Sequence, residues 1–129
     1  MAQNIIHGKQ KGFTLLELMI VIIIMGILYA VANIVISGRI TFAKETALKH
    51  NLYTIRKAID EYYTDKNKYP SALQDLVDNK YIRKIPEDPF TKSTNSWIII
   101  PSSNTGNDVF DIKSSCDKVD SNGKPYNEW

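Results

Sequence analysis

Hydrophobic residues fall in two patterns along this chain. From Phe13 to Ile36 they run almost without interruption. Past Gly38 they thin to a stripe: Leu48, Leu52, Ile55, Ile59 and Tyr62 follow one another at spacings of four, three, four and three. The first pattern describes a helix apolar all round. The second describes a helix with one buried face. Nothing between them breaks a helix, so the two patterns predict one long helix over about 13–65. Opposite charges four apart, at Glu45/Lys49, Arg56/Asp60 and Lys57/Glu61, would support its second half. Asn67 and Pro70 end it, because proline cannot continue a helix and biases the residue before it toward extended backbone.

The pattern then shortens. Ser71-Ala72-Leu73-Gln74 has the form of a capping box, and it predicts a short helix through Asp78 with Leu73, Leu76 and Val77 as apolar contacts. Ile85 to Phe90 holds two prolines and reads as extended loop. Trp97-Ile98-Ile99-Ile100 and Val109-Phe110-Asp111-Ile112-Lys113 are strand candidates, the second with Phe110 and Ile112 on one face. Turn residues Asn104, Gly106 and Asn107 between them predict a hairpin lying on the long helix. The fold class is therefore α+β: a long helix packed on a small antiparallel sheet.

The apolar run covers 24 positions, 13–36. As a helix it spans ~36 Å, enough for a hydrocarbon core of ~30 Å. Leu18 to Ala32 holds neither charge nor proline, while Lys9 and Lys11 stand upstream and favour a cytoplasmic N-terminus. One carboxylate, Glu17, lies inside the run, where an ionised side chain costs several kcal/mol or more. Three readings compete. A secretory signal peptide would use Ala30-Val31-Ala32 as its cleavage site. A plain single-pass anchor would use only the hydrophobicity. Neither gives Glu17 a purpose. In the third, cleavage after Gly12 frees the α-amino group of Phe13, a positive charge close to Glu17 in sequence.

Gly12-Phe13-Thr14-Leu15-Leu16-Glu17, with the lysines before it, resembles the N-terminus of type IV pilins and type II secretion pseudopilins. The resemblance is strongest over residues 9–38. It continues more loosely through Lys68-Tyr69-Pro70, Tyr81-Ile82-Arg83-Lys84-Ile85-Pro86, Asp88-Pro89-Phe90, Trp97 and Phe110-Asp111-Ile112, where it looks like the major pseudopilin of type II secretion systems. It implies a leader over 1–12, a transmembrane and filament-core helix over 13–38, and a periplasmic head over 39–129. It also implies cleavage after Gly12, methylation of the Phe13 amine and an assembly role for Glu17. The chain departs from many type IV pilins in having one cysteine, Cys116, and no C-terminal pair. Many relatives also have a proline in the span where Asn33-Ile34 stands here. Gly26 serves either as a small residue that lets helices approach or as a weak point where the helix can melt.

Charge argues against a strongly cationic nucleic-acid binder. The 16 basic residues exceed the 14 acidic ones by two, and Lys9 and Lys11 account for the excess. After cleavage the count is 14 against 14, so strong nucleic-acid binding is not expected. Catalysis finds no support either. His7 and His50 are far apart in sequence, and there is no phosphate loop or nucleophile elbow. In the major pseudopilins the loop after the last strand binds calcium. Asp117 and Asp120 are the candidate ligands here, although the acids are few and Cys116 stands where a glycine is common. The other reading of Asp120-Ser121-Asn122-Gly123 is a solvated turn bonded to itself.

The resemblance implies a structural subunit of a pseudopilus that drives protein export. It would assemble with copies of itself and with minor pseudopilins, and act with a prepilin peptidase, an inner-membrane platform protein, an assembly ATPase and an outer-membrane secretin. A type IV pilin for adhesion, motility or DNA uptake shares the anchor and is the nearest alternative. A membrane-tethered binding module that never polymerises is a further one, and it leaves Glu17 without use. Intact-mass measurement of protein from its native membrane decides the processing. The mature chain is expected to start at Phe13 and carry one added methyl. A chain starting at Asn33 would mean signal-peptidase cleavage after Ala32 instead.

Overall fold

The computed structural model describes residues 12–129. Residues 1–11, with Lys9, Lys11 and His7, lie outside the described residues, and so does the leader apart from Gly12. The elements are a long helix α1 (Leu15–Lys66), a short helix α2 (Leu73–Asp78), strands β1 (Ile98–Ile100) and β2 (Asp111–Lys113), and a 3₁₀ turn at Tyr126–Glu128. This is the α+β, pilin-like arrangement expected. The chain divides into two units between Arg39 and Ile40.

In the first unit α1 is helical throughout, including Gly26 and Asn33. Its large side chains are all uncovered, from Ile20 at 47% exposed to Leu15 at 77%. The polar groups within the run are turned inward on the helix. Asn33 Nδ2 donates to the Tyr29 carbonyl at 2.9 Å, and Ser37 Oγ donates to the Asn33 carbonyl at 2.8 Å. Such back-bonding lets a polar side chain sit in an apolar setting without an orphaned donor.

In the second unit the predicted stripe is the core face of α1. Leu48, Leu52, Ile55, Ala58, Ile59 and Tyr62 are buried, and Leu73, Leu76, Trp97, Val109, Ile112, Cys116 and Tyr126 complete the core. Asn67, at φ +53°, ends α1 in the left-handed conformation, with its N–H on the Tyr63 carbonyl at 2.8 Å. The strands pair antiparallel with Ile98 opposite Lys113, Ile99 opposite Ile112 and Ile100 opposite Asp111.

Three expectations need correction. The cap of α2 is not Ser71 with Gln74. Ala72 occupies the cap position, and the Asp75 carboxylate accepts the backbone N–H groups of Ser71 at 2.9 Å and Ala72 at 3.3 Å. A carboxylate in the first turn satisfies those donors and also favours the helix dipole, so Asp75 takes the Ser71 N–H that the neutral Gln74 amide was expected to accept. Phe110 and Ile112 do not share a buried face, because β2 begins only at Asp111. Val109 and Ile112 are fully buried, and Phe110 turns outward to meet Tyr69 edge-on at 5.2 Å. The charge pairs along α1 largely give way to tertiary partners. Lys57–Glu61 survives at 3.9 Å, but Arg56 pairs with Asp111 at 2.8 Å and Glu45 accepts the Tyr126 hydroxyl at 2.7 Å. An exposed pair four apart is worth only a few tenths of a kcal/mol, so a less exposed partner with better geometry prevails.

The loop expected over Ile85–Phe90 is anchored by two buried contacts. The indole Nε1 of Trp97 donates to the Pro86 carbonyl at 2.8 Å. Asp88 is fully buried: its Oδ2 accepts Ser114 Oγ, and its Oδ1 accepts the Phe90 N–H at 2.9 Å. Nearer the end of α1, the Tyr81 hydroxyl donates to Asp65 Oδ2 at 2.7 Å. That bond, reinforced by desolvation, holds the phenol up to about 12. The contribution is complete below the ordinary tyrosine value near ~10 and is lost as pH rises through the raised one. Burial also raises Tyr69 and Tyr126, so phenolate absorbance should show Tyr81 among several tyrosines titrating late, and Asp65→Asn should move one of them back toward ~10. A wild-type curve identical to the variant's would remove the bond from the folded state.

Candidate assembly site at the start of the long helix

Thr14-Leu15-Leu16-Glu17 forms a reciprocal capping box. The Thr14 N–H donates to Glu17 Oε2 at 3.1 Å, and the Glu17 N–H donates to Thr14 Oγ1 at 3.2 Å. Helices begin with unpaired N–H groups, and the box satisfies two of them at the point where α1 starts. It also sets the carboxylate against the positive end of the helix dipole. Sequence reasoning took Glu17 as a charge needing a partner and passed over Thr14, although Thr-x-x-Glu before an apolar run is the signature of this cap. The box uses Oε2, so Oε1 keeps its capacity to accept another donor.

Gly12 and Phe13 precede the helix and are exposed, Phe13 at 91%. A Cβ built on Gly12 would meet nothing within 4 Å. No packing within the described residues therefore requires glycine there. Beyond the box, the uncovered apolar surface of α1 is long and apolar enough to cross a membrane.

Asp117 and Asp120 lie far along the chain, in the loop after β2. Asp117 is exposed. Asp120 Oδ1 accepts the backbone N–H of Asn122 at 2.7 Å and of Lys124 at 2.9 Å. These bonds, that of Lys124 foremost, hold its carboxyl below the usual aspartate range. The carbonyls of Lys118, Asp120 and Lys124 accept the N–H groups of Tyr126, Gly123 and Asp120. Calcium takes about six to eight oxygens. Among the described residues no three Asp, Glu, His or Cys side chains gather, so this loop does not fit the ion well. Its bonding is that of a self-contained turn.

A groove of about 610 Å³ on the second unit is lined by Lys49, Arg56, Lys57, Asp60, Asp120 and Trp129 among others. It holds charge and aromatic surface but no histidine, cysteine or serine to act as nucleophile or general base.

Comparison with known proteins agrees with this reading of the N-terminus. Residues 7–32 match the family described as the prokaryotic N-terminal methylation motif. The capped helix start at Thr14 lies within the matched residues. Over 98 residues the chain is 36% identical to the type II secretion system core protein G of Pseudomonas aeruginosa, covering 64% of this chain and 69% of that protein. It is 32% identical over 98 residues to the core protein G of Aeromonas hydrophila, covering 64% and 68%. It is 29% identical over 120 residues to that of Pectobacterium carotovorum, covering 81% and 76%. The chain belongs to the type II secretion system core protein G family, the major pseudopilins. No solved structure matches it.

Replacing Thr14 by alanine removes the acceptor of the Glu17 N–H. A lost N-cap costs about 1 kcal/mol, so the Glu17 amide should exchange with solvent roughly fivefold faster in detergent micelles. Thr14→Ser should restore the slow rate. An unchanged rate in Thr14→Ala would mean that the box does not hold the helix start.

Proposed function

We propose that this chain is a structural, non-catalytic subunit of the type II secretion pseudopilus. It is cleaved after Gly12, methylated on Phe13 and held in the inner membrane with its N-terminus cytoplasmic and residues 39–129 in the periplasm. The observation that carries this reading is Glu17 at the head of an apolar helix with no cover of its own. Lipid can cover the helix while the subunit waits, and apolar helices of other copies can cover it in a filament. A head-to-tail contact between copies does not close, so repetition builds a fibre.

Glu17 sets the height at which copies dock. In the lone subunit its charge is stabilised by the Thr14 box and the helix dipole. In the filament Oε1 would take the Phe13 amine of a neighbour. At low effective dielectric that attraction is several-fold stronger than the ~1 kcal/mol of an ion pair at ~4 Å in water, but desolvation of both charges opposes it. The gain is in register, because a copy docked at the wrong height leaves two charges unpaired among apolar side chains. The chain has no phosphate loop, so the energy for growth comes from a partner ATPase, acting through an inner-membrane platform protein. A prepilin peptidase, minor pseudopilins and an outer-membrane secretin complete the set of partners.

Glu17→Gln tests the charge. Glutamine can still cap the helix, so insertion and leader cleavage should be normal, while filament yield and export fall sharply at matched expression. Normal filaments and normal export from this variant would rule out the contact between subunits.

A further inference from the structure

We propose that the loop after β2 is locked by side chains of α1 and not by a metal ion, so that this subunit holds its C-terminal segment without calcium. The proposal rests on the family reading only for the expectation of calcium. The lock itself is visible in the geometry of residues 40–129.

Three residues of α1 reach the segment. Glu45 Oε1 accepts the Tyr126 hydroxyl at 2.7 Å, and Tyr126 is 2% exposed. The Tyr126 ring stacks on Phe90 at 4.1 Å and meets Trp129 edge-on at 5.1 Å. Eleven positions along α1, Arg56 uses Nε on Asp111 Oδ1 at 2.8 Å and Nη2 on the carbonyls of Ile112 at 3.0 Å and Trp129 at 2.8 Å. One guanidinium thus joins β2 to the last residue of the chain as described. Lys49 Nζ lies 4.9 Å from the centre of the Trp129 ring. The work of a bound cation is to gather oxygens from separate parts of a loop and neutralise them. Here the Arg56 guanidinium gathers oxygens from the helix side, and the Glu45 carboxylate holds the segment by accepting the Tyr126 hydroxyl.

The loop's own oxygens are turned to backbone donors. Asp120 Oδ1 and the carbonyls of Lys118, Asp120 and Lys124 each accept an N–H. Val119 and Pro125 also form an antiparallel bridge across the turn. An ion would have to compete with this set for its ligands.

The experiment uses the full mature chain in detergent, followed by the fluorescence of Trp97 and Trp129 on heating. The melting temperature is expected to be the same in millimolar calcium and in EGTA. An ion at a hundredfold excess over its dissociation constant would raise it by roughly ten degrees or more, and such a rise overturns the proposal. Tyr126→Phe keeps the ring stack and loses the hydroxyl. It is expected to melt about 4–8 °C lower, equally in both buffers. A variant that melts like the wild type, or that calcium restores, overturns the lock. Terbium gives a readout independent of stability. No tryptophan-sensitised emission is expected, and emission that calcium competes away would establish an ion site at Asp117 and Asp120.

Discussion

A carboxylate inside an apolar helix cannot be left to lipid. Everything distinctive about the first unit follows from that constraint. The Thr14 box keeps Glu17 bonded at the helix start, while the surface beyond it stays uncovered. The Oε2 of Glu17 is bonded within the chain while its Oε1 is not, which is the state that the proposed contact with a neighbour's amine requires. A wholly unpaired Glu17 would resist insertion.

The second unit faces the opposite problem. Its core is small, and few of its residues lie in strands. The buried face of α1 supplies the platform, and most of the remaining order comes from side chains that cross long stretches of sequence. Arg56 and Glu45 are the clearest cases. Both reach from α1 to segments more than fifty residues away. Much of what an ordinary domain obtains from a sheet is obtained here from bonds between a rigid helix and loops laid along it.

Periodicity made α1 legible, because a stripe such as Leu48–Tyr62 can be buried only if the helix is real. Gly12, Phe13 and Glu17 were legible as a motif, and Asn67 as a stop. The misses share a cause. Ser71 and Gln74 fit a local pattern for a cap, but Asp75 competed for the same donors and is the stronger acceptor. Arg56/Asp60 and Glu45/Lys49 fit a helical spacing, yet local spacing says nothing of Asp111 or Tyr126 arriving from far along the chain. Thr14 was missed for another reason: its signature was present, but it lay inside a motif already read for another purpose. Phe110 shows the limit of period-two reasoning when a strand is three residues long.

Asp88 ties together parts of the second unit that are distant in sequence. Its side chain is shut away from water, and its partners are backbone N–H groups of its own loop and a hydroxyl 26 residues later. Ser114 follows β2 directly, so this one buried contact joins the proline loop to the strand. Loss of either partner leaves a buried polar group of the other unsatisfied, and a change in the loop is thereby felt at the strand.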